Sequence, residues 1–151
     1  MGLIVQESLL QAVDQPTIVN HLRIGEAVAC EDAALLDRLI QAATAYVETE
    51  TRTTLAIRSM ILTRDRFPCE PVISLPRPPL KSVTSIQYLA RSGETLTLPA
   101  DAYVVDVSTR PGRIVLKPGN VWPATADHAN AIQIAFTAGY AANDLKPVLL
   151  Q

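Results

Sequence analysis

Two cysteines, two histidines and six glycines are all that 151 residues provide, beside two phenylalanines, four tyrosines and one tryptophan. Each shortage excludes something. His21 and His128 are the only histidines, neither stands in a nucleophile context, and no GxSxG sequence occurs, so a Ser-His-Asp arrangement has no support. Asp127 precedes His128, but tetrahedral zinc needs four ligands and no cysteine or second histidine is near; a solvated loop residue is the better reading. Cys30 and Cys69 are 39 residues apart and fit neither a CxxC motif nor a disulfide framework, so two reduced thiols are expected. The glycines stand singly, which rules out a P-loop and a GxGxxG turn. Apolar runs fall far short of the ~18 residues of a membrane span. The opening MGLIVQESLLQAV has no Lys or Arg before Arg23, unlike a secretory signal, so the chain is expected to stay in the cytosol where it is made.

Positive charge is also scarce. A net charge of −2 and a pI near 5.6 argue against a protein that grips nucleic acid through many phosphate contacts. Residues 1–56 carry −5 and the remainder +3, so the two parts either attract one another between copies or form two ordinary solvated surfaces. Asp101 and Asp106, the nearest carboxylate pair in the strand-rich region, have an odd separation that would point them to opposite faces of one strand. Their expected job is to bound that strand. No catalytic, cofactor-binding or metal-binding residue is assigned, and the chain is not read as an enzyme.

What is present is aliphatic core material and proline: 48% hydrophobic residues, a mean hydropathy of +0.19 and eleven prolines. That composition folds, and the length suits one domain. A short helix is predicted from about Gln15 to Arg23, with Asp14 as cap, Pro16 in its first turn and Gly25 past its end. A long amphipathic helix is predicted from about Glu31 to Arg52, because Leu35, Leu36, Leu39, Ile40, Ala43, Tyr46 and Val47 recur at spacings of three and four. On that stripe Tyr46 reads as core. After Thr54 the period becomes strand-like. Strands are expected near Ile57 to Phe67, Val72 to Leu75, Ser82 to Ala90, Glu94 to Leu98, Tyr103 to Val107, Arg113 to Lys117 and Ala131 to Thr137. Turns are expected at Ser92–Gly93 and Pro111–Gly112. In the last strand Ile132, Ile134 and Phe136 alternate with Gln133 and Ala135, the pattern of a half-buried antiparallel sheet. Beyond Gly139, AsnAspLeuLysPro begins like a C-terminal helix.

The fold class is therefore α+β: N-terminal helices, an antiparallel β insertion and the start of a C-terminal helix. As one domain, its helical part covers about 14–54 and 143–151 and its β part about 56–140. The run LPRPPLKSVTSI reads as a stiff, extended lead into a strand, since Pro76, Pro78 and Pro79 fix φ and remove donors. Trp122, beside Pro123, is either a lid over the core or an interface anchor. Arg64 and Arg66 share one strand face, and Arg113 and Lys117 another. Either pair could line a channel or meet acids of a second copy, with plain solvent exposure the stronger reading.

Four segments in order, DAALLDRLIQAATAYVET, LPRPPLKSVTSIQYL, AYVVDVSTRPGRIVLKPGNVWP and NAIQIAFTAGY, resemble the head-tail connector proteins (adaptor or head-completion proteins) of tailed phages and gene transfer agents. The resemblance covers roughly residues 14–151. It implies a ring of about twelve copies beneath the portal, leading to the stopper or tail-completion protein, with DNA passing through without specific binding. It also implies no cofactor, no catalysis and no membrane, with assembly in the host cytoplasm and residence in the neck of the particle. Relatives continue past LeuLysProValLeuLeuGln into a longer helix that docks on the portal, of which this sequence supplies the start. Pro76, Arg77, Pro78, Pro79, Trp122, Leu145 and Lys146 are the candidate assembly residues. The alternative is a non-catalytic β-sheet module that binds a ligand or protein, for which the aromatic content is thin.

Overall fold

A computed structural model describes residues 2–5, 12–25 and 32–141. Within them the chain is α+β, with two α-helices and two antiparallel sheets. The expected C-terminal helix, with Leu145 and Lys146, lies outside the described residues.

Helix α1 spans Gln15–Leu22; the Asp14 carboxylate accepts from the Thr17 amide at 3.2 Å, and proline occupies the first turn. It ends within a residue of the expected place, where Arg23 takes the left-handed conformation at φ 56°. Helix α2 spans Ala33–Thr51. Its apolar stripe is only partly used. Leu36 and Ile40 are buried, whereas Leu35, Leu39 and Tyr46 are 53%, 56% and 69% exposed. Tyr46 is therefore not core. At 100° per residue the predicted stripe is a broad arc, and the described residues pack against one edge of it.

The larger sheet has the order β1-β2-β8-β4-β5, with β1 Gly2–Val5, β2 Arg58–Arg64, β4 Leu80–Leu89, β5 Thr95–Thr97 and β8 Ile132–Ala138. The smaller has the order β3-β7-β6, from Val72–Ser74, Arg113–Leu116 and Tyr103–Asp106. Every expected strand forms, and Ser92–Gly93 lies in the β4–β5 hairpin turn as anticipated. Strand β1 was not anticipated; it pairs with β2 in the register Gly2↔Thr63, some sixty residues away.

Alternation decides which face is core. Leu62, Ile134 and Ile86 form one row across the large sheet, and Ile73, Ile114 and Val105 one across the small. Leu62, Ile134, Ile86 and Ile114 are fully buried and Ile73 nearly so; with Phe136, Met60 and Leu75 they form one apolar cluster between the sheets. Fully burying each such side chain contributes about 1.5–3 kcal/mol, so this cluster dominates the stability of the β part. Gln133 is exposed, as its place between Ile132 and Ile134 required.

Candidate assembly interface

Pro76, Arg77, Pro78 and Pro79 are half-buried and bend the chain between β3 and β4, in place of the extended strut expected. Arg77 lies at φ 63°, a left-handed conformation unfavourable for a side chain with a Cβ and unusual before proline. A tertiary contact holds it there: its Nη1 donates to the Glu48 carbonyl at 2.8 Å, near the end of α2. Beside it the Thr54 amide donates to the Pro78 carbonyl and the Gly139 amide to the Pro79 carbonyl, both at 2.9 Å. Gly139, at φ 122°, also passes Ala56 so closely that a Cβ there would stand 2.4 Å from the Ala56 oxygen. The PRPP segment thus fastens the end of α2 to the last strand.

Glu48 completes this joint. Though charged, it is buried, and its Oε1 accepts from the Leu55 amide at 2.7 Å and from Arg58 Nη2 at 3.0 Å. Glu48 lies off the apolar stripe of α2, so helical periodicity gives no sign of its burial. The one available signal was its position one turn before the helix ends and seven residues before the strand-like region begins.

At the other end of β2 the Trp122 ring stacks on Phe67, with centroids 4.8 Å apart and planes 5° from parallel. Its Nε1 donates to the Glu70 carbonyl at 2.8 Å, and Phe67 meets Tyr88 edge-on. Trp122 and Phe67 pack on the main core, so the tryptophan is a lid. It also lines an open cleft of about 500 Å³ with Phe67, Pro68, Pro123, Arg66 and Arg91. The structure therefore separates the candidates: PRPP at one end of β2, Trp122 at the other.

Arg66 pairs with Asp127 at 3.3 Å, both exposed. Arg113 and Lys117 are exposed, two residues to either side of Val115 on β7. Arg113 Nε donates to Asp106 at 2.9 Å, and the Ser108 hydroxyl and amide donate to the same carboxyl. The Ser108 hydrogen bond, followed by that from Arg113, holds Asp106 below the ordinary carboxylate range. That network ends β6, the bounding job expected of the aspartate. His21 is exposed on α1, and His128 Nδ1 lies 2.6 Å from the Ala129 carbonyl in an exposed loop. Among the described residues no three of His, Cys, Asp or Glu gather as metal ligands would. No helix there is long and apolar enough to cross a membrane.

No protein-family model and no curated protein matches the chain. Solved structures do. A chain in the neck of an empty gene transfer agent (GTA) particle, computed with C6 symmetry, is 27% identical with a TM-score of 0.77; the match covers 94% of this chain and 73% of that one. A chain in the virion of the native GTA particle is 26% identical, with a TM-score of 0.75 and the same coverage. A third, in the native neck computed with C12 symmetry, is 25% identical with a TM-score of 0.66, covering 92% and 71% of the two chains. The likeness extends over nearly the whole chain and bears out its resemblance to the head-tail connector proteins of tailed phages and gene transfer agents.

Proposed function

We propose that the chain is a structural subunit of a particle neck, a head-tail connector that forms a ring of about twelve copies under the portal and extends the DNA conduit toward the stopper and tail. The observation that carries this reading is the fold-wide likeness to chains of GTA necks, whose C6 and C12 symmetries support a ring there. In this role the 151 residues act as one connector-like domain, in which the joint around Glu48 orients the helices on the sheets. Pro76 to Pro79 serve assembly indirectly, by holding that joint, and Trp122 offers a cleft to a neighbouring protein. A chain of net charge −2 suits a conduit that lets DNA pass without holding its phosphates.

The test is the position of the chain in purified particles. Cryo-electron microscopy should show its density as a ring between portal and tail, and native mass spectrometry should show a stable complex with the portal. A strict monomer that ignores the portal and is missing from the neck would overturn the proposal.

A further inference from the structure

A closed ring of more than two identical subunits uses two unlike surfaces on each copy, because every contact runs head to tail. Among the described residues two apolar surfaces of unlike kind are open to such a contact. The first is the outer ridge of α2, where Leu35, Leu39 and Tyr46 lie within about 40° of one another around the helix and extend along about 16 Å of it. The second is the outer face of the small sheet. There Val72, Val115 and Val104 stand in one row across β3, β7 and β6, at Cα partners Val72↔Val115 and Val104↔Val115. Val104 is exposed and the other two are half-buried. On a two-layered antiparallel fold this face would ordinarily be polar. Instead it is a flat β-branched strip about 10 Å wide, the kind of surface on which a helix buries its apolar stripe.

The two surfaces belong to parts of the chain with opposite net charge, the ridge itself being edged mainly by acids and the valine row by both signs. Exposed acids close the ridge at both ends, Asp32 before Leu35 and Glu50 one turn beyond Tyr46, with Arg38 on its flank. Two bases, Arg113 and Lys117, lie on the same face as Val115, Arg113 being paired with Asp106 of β6, and exposed Glu70 precedes Val72. The net charges are −5 over residues 1–56 and +3 over the rest.

We infer that the α2 ridge of one subunit packs across the valine row of the next copy, and that this helix-on-sheet contact closes the ring. The inference rests on the connector reading and adds which surfaces meet. Variants are introduced into the full chain and read in purified particles and in complexes with the portal by native mass spectrometry. Leu39→Asp and Val104→Asp, at exposed sites, should each lower ring occupancy at least tenfold while leaving the melting temperature of the free chain unchanged. Leu96→Asp, at an exposed site on β5, should leave rings intact. In a chain with Cys30→Ser and Cys69→Ser, the pair Leu39→Cys and Val104→Cys should oxidise to a ladder of covalent multimers, and neither single cysteine should do so. Normal rings from both aspartate variants, with no ladder from the cysteine pair, would overturn this contact and leave the connector reading standing. Covalent dimers from Leu39→Cys alone would also overturn it, since ridge would then meet ridge. A parent chain that forms no ring and is missing from the neck would overturn both.

Discussion

Removing the Glu48 carboxylate should unfasten the helices from the sheet. Its side chain is 11% exposed and that of Arg58 21%, so the pair is largely withdrawn from water. In Glu48→Ala the Leu55 amide loses its acceptor, and the Arg58 guanidinium is left with a buried charge whose Nε already has no hydrogen-bond partner. An unsatisfied buried donor costs about 1–3 kcal/mol and a broken buried pair about 3–5 kcal/mol; one carboxylate serves both here and Arg58 keeps some solvent, so about 3 kcal/mol is expected. For a chain of this length that lowers the melting temperature by about 6–12 °C. Glu48→Gln keeps an oxygen for Leu55 and loses only the charge, and should cost about 1 kcal/mol. The measurement is thermal unfolding of the free chain by far-ultraviolet circular dichroism, away from partners that would raise its apparent stability by mass action. A double-mutant cycle with Arg58→Ala should return a coupling of about 1–3 kcal/mol. If Glu48→Ala melts within about 2 °C of the parent, or the cycle shows no coupling, the joint is not held as described.

Trp122→Ala should lower stability by about 2–3 kcal/mol in urea unfolding, because it removes the Phe67 stack and the bond to the Glu70 carbonyl; an unchanged midpoint would mean the ring is no lid. Gly139→Ala should cost about 2–4 kcal/mol, against about 1 kcal/mol for Gly93→Ala, which shares a positive φ but has open space around it; equal losses at the two sites would show that the approach to Ala56 is immaterial. Asp106 has a lowered folded-state pKa, so the stability it contributes is complete above about pH 5 and is lost as pH falls through the folded value. Asp106→Asn should therefore flatten the acid limb of the stability curve, and identical acid limbs for variant and parent would remove Asp106 from the account.

Much of the β part was legible because its signals are local. Ile132, Ile134 and Phe136 alternate over one strand, and Ser92–Gly93 turns the chain within a hairpin, so neither needs knowledge of distant residues. What sequence missed depends on distant partners. Strand β1 has four residues and becomes a strand through Thr63, Leu62, Ile61 and Met60. Helical periodicity states which side chains share a face of α2, and it is silent on whether that face has a partner, which is why Tyr46 was assigned to the core. Local proline chemistry favours an extended Arg77, and the contact with the Glu48 carbonyl overrides it. Of the candidate site, sequence singled out PRPP and Trp122 as assembly residues without indicating what either one packs against. Their placement at opposite ends of β2 came only from the fold.

The proposed ring would also give a physical reason for so elaborate a joint. The ridge belongs to α2 and the valine row to the small sheet, so the angle between them is set where helix meets sheet. A twelvefold ring like the C12 neck turns each subunit by about 30°, and rings of eleven or thirteen differ from it by only about 2–3° per subunit. Flexible packing at the end of α2 would not hold such a tolerance. Glu48 on Leu55 and Arg58, Arg77 on the Glu48 carbonyl, Thr54 on Pro78 and Gly139 on Pro79 fix that end with directional bonds from three separate stretches of chain. A mostly buried ion pair is a weak source of net stability compared with an apolar substitute, and the advantage we propose for it here is that it fixes one geometry over its neighbours. In the proposed ring, where every error in angle would be repeated around the circle, that advantage would account for a buried glutamate and a left-handed arginine at this joint.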